Sequence, residues 1–165
     1  EEMDLAQGIG EAARCPEGIQ AAVLLESLDR VHNPQQLLHR VVGCLAAGGL
    51  LFVTALVASG FDMAVLGLKN LYLYPPDRMN CFSLQGLSRL LERSGFELVE
   101  VSTPGALDVQ IVRAHVQRDP TLPLSMFERQ LIGMHEEGQA AQAFLQQSRL
   151  SSFARIVARR RMVMG

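Results

Sequence analysis

The chain has 165 residues, 48% hydrophobic and 19% charged, with a formal net charge of −2. That size predicts a single domain, 1–165, able to bury about 70% of its unfolded surface, and a composition without low-complexity tracts excludes a disordered chain. A charge so close to zero excludes a global field that would attract nucleic acid or an anionic membrane. Fourteen of the fifteen basic residues are Arg, and only Arg159, Arg160 and Arg161 form a local run.

Residues 1–20 read as irregular, broken by Gly8, Gly10, Pro16 and Gly18. The Gly8-Ile9-Gly10 pair lacks the preceding strand and third glycine of a dinucleotide fingerprint, so it reads as an ordinary loop. Ala21–Leu25 is an apolar strand that meets its first charge at Glu26. Asn33 and Pro34 are a helix start, N-cap and first helical position. Leu37, Leu38, Val41, Val42 and Leu45 give that helix one apolar face, and Gly48-Gly49 is expected to stop it. Leu50–Val53 is short and apolar, a strand buried on both faces. Residues 21–54 thus predict a βαβ unit with parallel strands.

Residues 55–82 form a long connection, of the kind that usually serves as a lid or binding loop, with a helical turn or two in Met63–Leu71. In 83–165, Ser83 caps a helix whose Leu84, Leu87, Leu90 and Leu91 share a face and which Gly95 ends. Phe96–Thr103 alternates as a half-buried strand does. Asp108 is placed to cap a helix reaching about Gln117, and Ser125 with Glu128 forms a capping box. Glu136–Gln147 is helical, and Ser152–Arg160 is a last strand.

Between Arg40 and Asp62 lie 21 uncharged residues, enough to span a bilayer of ~30 Å. Four glycines and the one-sided helical pattern argue against a membrane helix. Three widely spaced Cys without CxxC offer neither a zinc site nor a disulfide framework, and the four His show no ligand spacing, so no metal is expected. With no basic leader at the start, the expected location is the cytoplasm.

These pieces, in this order, resemble the carboxyl-terminal half of a class I S-adenosylmethionine-dependent methyltransferase, closest to a bacterial branch. The resemblance runs from about residue 10 to 161. It rests on the Pro34-started helix and Gly48-Gly49-led strand, on Gly60-Phe61-Asp62, and on Pro75-Pro76-Asp77-Arg78-Met79-Asn80. Ser102-Thr103-Pro104-Gly105, Leu107-Asp108-Val109 and Leu150-Ser151-Ser152 complete it. It implies an α/β, partial Rossmann-like fold containing the family's fourth to seventh strands. Their order would be fourth, fifth, seventh, sixth, with the seventh antiparallel and helices on both faces of the mixed sheet.

The implied activity is methyl transfer from S-adenosylmethionine. Glu11, Glu26 and Ser27 are the implied cofactor contacts, and Glu26, Asp29 and Arg78 the candidates for a catalytic role. Asp62, Tyr72, Tyr74 and Asn80 lie on the implied substrate-side loop. Two family histidines are replaced here by Arg30 and Arg78. Glu26 and Asp29 could bind a hard cation, but arginine is neither a ligand nor a base. Arg30 is expected to pair with Asp29 or Glu26, and Arg78 with Asp77, on the rim of the cleft.

The family's glycine-rich turn and ribose-binding carboxylate have no counterpart. The resemblance therefore implies a truncated or remnant half, inactive alone, whose own binding of S-adenosylmethionine is doubtful. The alternative is a non-catalytic interaction or dimerisation module. The Ala21–Leu25 strand would be an unprotected edge. It is expected to be covered by a second copy in a symmetric homodimer or by a missing amino-terminal half, since residues 1–20 make a poor strand.

Overall fold

The computed structural model describes residues 17–74, 77–133 and 138–162. Strand β1 (Ile19–Leu25) leads through helix α1 (Pro34–Cys44) to strand β2 (Leu45–Leu56), and the two strands pair in parallel. The helix starts as its residues require: Asn33 Oδ1 accepts the Gln36 amide at 2.9 Å and Pro34 fills the first turn.

The helix does not run to Gly48-Gly49. Leu45 already has an extended backbone and opposes Ile19 on β1. From there to the Ala21–Leu50 pair, β2 advances five residues while β1 advances two, so the glycines belong to a bulge inside the strand. Gly48 takes φ +77°, and a Cβ on Gly49 would meet the Ala46 carbonyl oxygen at 3.0 Å and the Ile19 and Gln20 oxygens at 3.2 Å. Glycine here admits the neighbouring backbone rather than capping the helix.

Beyond β2 come α2 (Phe61–Leu66) and a 3₁₀ turn (Gly67–Lys69), then α3 (Leu84–Arg93) and β3 (Phe96–Ser102). Ser83 Oγ accepts the Gly86 amide at 3.0 Å, and Gly95 at φ +97° carries the chain from α3 into β3. Helices α4 (Asp108–Arg118), α5 (Met126–Gly133) and α6 (Gly138–Gln147) precede β4 (Phe153–Arg160). The capping box forms as written: the Ser125 amide donates to Glu128 Oε2 at 2.6 Å and the Glu128 amide to Ser125 Oγ at 3.2 Å.

The sheet order is β1-β2-β4-β3, with β4 antiparallel to both neighbours. This is the expected order of the family's fourth, fifth, seventh and sixth strands. The registers place Ala22, Leu24, Leu51, Val53, Ala55, Ala154, Ile156 and Ala158 on one face. All are buried with Leu37, Leu38 and Val41 of α1 and Leu87 and Leu91 of α3 in one core.

The opposite face corrects the expectation of helices on both sides. Val23 is 57% exposed, Leu25 66% and Phe52 37%, and no described helix packs there. Both helices that follow or precede the strands as crossovers, α1 and α3, lie on the same face. The second core lies off the sheet, where Phe61, Leu66, Val109, Val112, Leu131 and Leu145 join α2, α4, α5 and α6. Cys81 is free and exposed, and Cys44 Sγ lies 3.1 Å from Arg40 O. Among the described residues no helix is long and apolar enough to cross a membrane.

Candidate functional site

Because β2 and β3 are both antiparallel to β4, strands β1, β2 and β3 all end on one side of the sheet. In open α/β sheets this side is where ligands bind. Here the turn after β1 and the long loop before α3 come together.

The turn begins with a bend. Glu26 adopts φ +47°, uncommon for a side-chain-bearing residue, held by its amide donating to Thr54 O at 2.8 Å. Ser27 Oγ donates back to Leu25 O at 3.0 Å. Asp29 is 1% exposed. The Arg78 guanidinium reaches in from the loop, bonding Asp29 Oδ2 and, at 2.5 Å, Glu26 Oε2. Arg78 Nε also donates to Tyr72 O. The amides of Met79 and Asn80 donate to Asp29 O at 2.8 and 3.0 Å, and Asn80 Nδ2 to Val31 O at 2.6 Å. A buried carboxylate, an arginine and three backbone or amide bonds thus clamp the loop to the turn.

This corrects the rim placement of Arg78. Asp77, its chain neighbour, instead meets Arg30 at 3.3 Å, and Arg30 also lies 3.6 Å from Glu26, in solvent. Arg78 has only a tenth of its side chain exposed. Adjacent residues on an irregular loop need not share a direction, and the buried Asp29 charge is what an always-protonated guanidinium satisfies best. Asp29 Oδ1 has no hydrogen-bond partner.

Of the sequence-predicted residues, the fold therefore gathers Glu26, Ser27, Asp29, Arg78 and Asn80. Tyr72 and Tyr74, on the same loop, are 50% and 68% exposed. Asp62 is fully buried and donor-bound to Asn70 at 2.9 Å, so it faces no substrate. Glu11 lies outside the described residues, as do Pro75 and Pro76.

Asp108 is not the cap of α4: no side-chain cap bond forms there. Its carboxylate instead accepts the Ser152 amide (2.6 Å), Ser151 Oγ (2.7 Å) and Gln142 Nε2 (2.6 Å). Sequence reasoning quoted Leu107-Asp108-Val109 and Leu150-Ser151-Ser152 as phrases but missed their contact. A buried Asp before a helix and a Ser pair before a strand are the only local signal.

Among the described residues no three His, Cys, Asp or Glu side chains converge as metal ligands do. Nor do these residues form a cradle for a nucleoside cofactor. The nearest strand-turn-glycine-helix is β2 to α2 through Gly60, but a Cβ there would meet Ser152 Cα at 2.2 Å. Its space is already filled by the chain's own backbone. A recess of about 480 Å³ between α1 and α3 is lined by Pro34, Phe82, Leu90, Arg89 and Arg93 among others, and by none of the predicted site residues.

A parallel β-α-β unit, a following antiparallel strand and a loop clamped over the strand ends define a Rossmann-like α/β domain. Solved structures agree on that fold. An S-adenosylmethionine-dependent methyltransferase from Mesorhizobium loti is 16% identical with a TM-score of 0.53, over 97% of this chain and 68% of its own. One from Thermotoga maritima is 14% identical with a TM-score of 0.55, over 93% and 60%. The [4+2]-cyclase SpnF is 15% identical with a TM-score of 0.51, over 98% and 55%. The chain thus spans 55% and 60% of the length of two of these structures. No curated protein sequence matches it. Residues 5–101 match the family described as Methyltransferase domain, and the chain belongs to that family.

Proposed function

We propose that this chain is the acceptor-side part of an S-adenosylmethionine-dependent methyltransferase and transfers no methyl group alone. The family match over residues 5–101 carries the reading. The lack of a cofactor cradle among the described residues and the pairing of both turn carboxylates with Arg78 support the second half of it. In this reading the chain is a truncated piece, a remnant or one part of a split enzyme. Glu26, 38% exposed, stands nearest the cofactor; Asp29 and Arg78 hold the turn; Tyr72 and Tyr74 line the acceptor side.

The completing partner carries a strand followed by a helix. The strand pairs with Ala21–Leu25, and the helix covers Val23, Leu25 and Phe52. A symmetric dimer through the same edge would lengthen the sheet, but its two-fold axis would leave both outer faces bare. The open edge also favours a second reading, a non-catalytic interaction module derived from a methyltransferase. Calorimetric titration of the chain with S-adenosylmethionine and with S-adenosylhomocysteine tests the proposal. No heat at micromolar concentrations is expected; micromolar binding of either would overturn it.

A further inference from the structure

The recess between α1 and α3 takes no part in the clamp, and its lining has two chemistries. Pro34 at the start of α1, Phe82 just before α3 and Leu90 within α3 supply apolar wall. Phe82 and Leu90 also pack against the main core. Arg89 and Arg93 add two guanidinium groups. Four residues apart on one helix, they lie on the same face.

The walls are held from behind. Val57 bridges to Phe82, and the Ala58 amide donates to Phe82 O at 2.8 Å. Asn80 Nδ2 donates to Val31 O at 2.6 Å, tying the chain that leads to Phe82 to the chain that leads to Pro34. Side-chain caps from Asn33 and Ser83 fix the starts of both helices. The cavity is therefore preformed, and about 480 Å³ falls within the roughly 300–1,000 Å³ of small-molecule sites.

Its charge is unanswered. No Asp or Glu lines the recess. Among the described residues neither Arg89 nor Arg93 makes an ion pair or hydrogen bond, whereas Arg30, Arg78 and Arg155 each meet an acid. Glu92, the only acid in α3, is exposed and pairs with neither. Like charges one turn apart repel, so the pair costs stability that no described contact returns. The positive end of α1 borders the same space and favours a negative group. A guanidinium fork fits a carboxylate and keeps its charge at any ordinary pH.

We infer that this recess binds a small organic acid, its carboxylate between Arg89 and Arg93 and its apolar body against Phe82, Leu90 and Pro34. The apolar wall selects against a bare inorganic anion, and the two arginines select against a neutral apolar molecule. None of the clamp residues lines the recess, and the test needs no methyl transfer.

Nitrogen-15 NMR of the whole chain, titrated in turn with hexanoate, 1-hexanol, inorganic phosphate and a glutamate-rich peptide, tests the site. Hexanoate is expected to give saturating shifts at the amides of Gln35, Gly86, Leu90 and Arg93, at concentrations where the other three give none. Arg89→Gln and Arg93→Gln should each weaken hexanoate about tenfold. Both side chains are exposed and unpaired among the described residues, so these variants keep the fold. Arg118→Gln, at the exposed last residue of α4, removes the same charge elsewhere and should leave binding unchanged. Absence of hexanoate shifts at these amides, equal binding of 1-hexanol or phosphate, binding of the peptide in place of hexanoate, or an equal loss in Arg118→Gln would each overturn the inference.

Discussion

Leu24 and Leu25 are neighbours on β1, yet the first is 2% exposed and the second 66%. Their difference is that of the two faces of the sheet. On one, α1 and α3 close a continuous apolar core across all four strands. On the other, Val23, Leu25 and Phe52 stand open beside an edge strand that has no Lys or Pro and, among the described residues, no helix cover. Strand periodicity puts alternate residues on opposite faces, so two apolar neighbours mean that β1 is written for burial on both sides. What the chain folds by itself and what its sequence is prepared to bury are therefore different.

The largest effect is expected where the closed side is fastened. Arg78→Ala strands the Asp29 charge, and loss of one partner of a buried pair costs about 3–5 kcal/mol. Chemical denaturation checks this; a loss comparable to that of Arg30→Ala, an exposed ion pair worth about 0–1 kcal/mol, would return Arg78 to the rim. Next comes the contrast within β1. Leu24→Ala should cost about 2–5 kcal/mol as a core truncation, whereas Leu25→Ala should stay within about 0.5 kcal/mol as a surface change. Equal losses in the two variants would mean that the outer face is covered in solution.

Most of the covered side was legible in the sequence. The Asn33-Pro34 start, the Leu face of α3, the Ser125–Glu128 box and the order of the four strands follow from short-range chemistry or from the resemblance. What escaped was set by contacts between distant segments. The Gly48-Gly49 pair fits a helix cap equally well until Ile19 and Gln20 bring their carbonyls against it. Arg78 reads as the partner of Asp77 until the loop folds over Asp29, 49 positions away. Asp108 reads as a cap until Ser151 and Ser152 arrive with better donors. Of the candidate site, the Glu26–Asp29 turn was legible as a cluster of carboxylates, but its closure by arginine was not. The bare face was also hidden, because a strand apolar on both sides looks the same whether or not its second cover is present.

The central claim is that β1 is an open edge on a half-covered sheet, and amide hydrogen exchange along β1 tests it most directly. The Glu26 amide bonds Thr54 O on β2, so by the two-residue period the amides of Ala22 and Leu24 also face β2, while those of Ala21, Val23 and Leu25 face away. Slow exchange at Ala22 and Leu24 with fast exchange at Val23 and Leu25 is the expected result. Equal protection of Val23, Leu24 and Leu25 in the chain alone would contradict it.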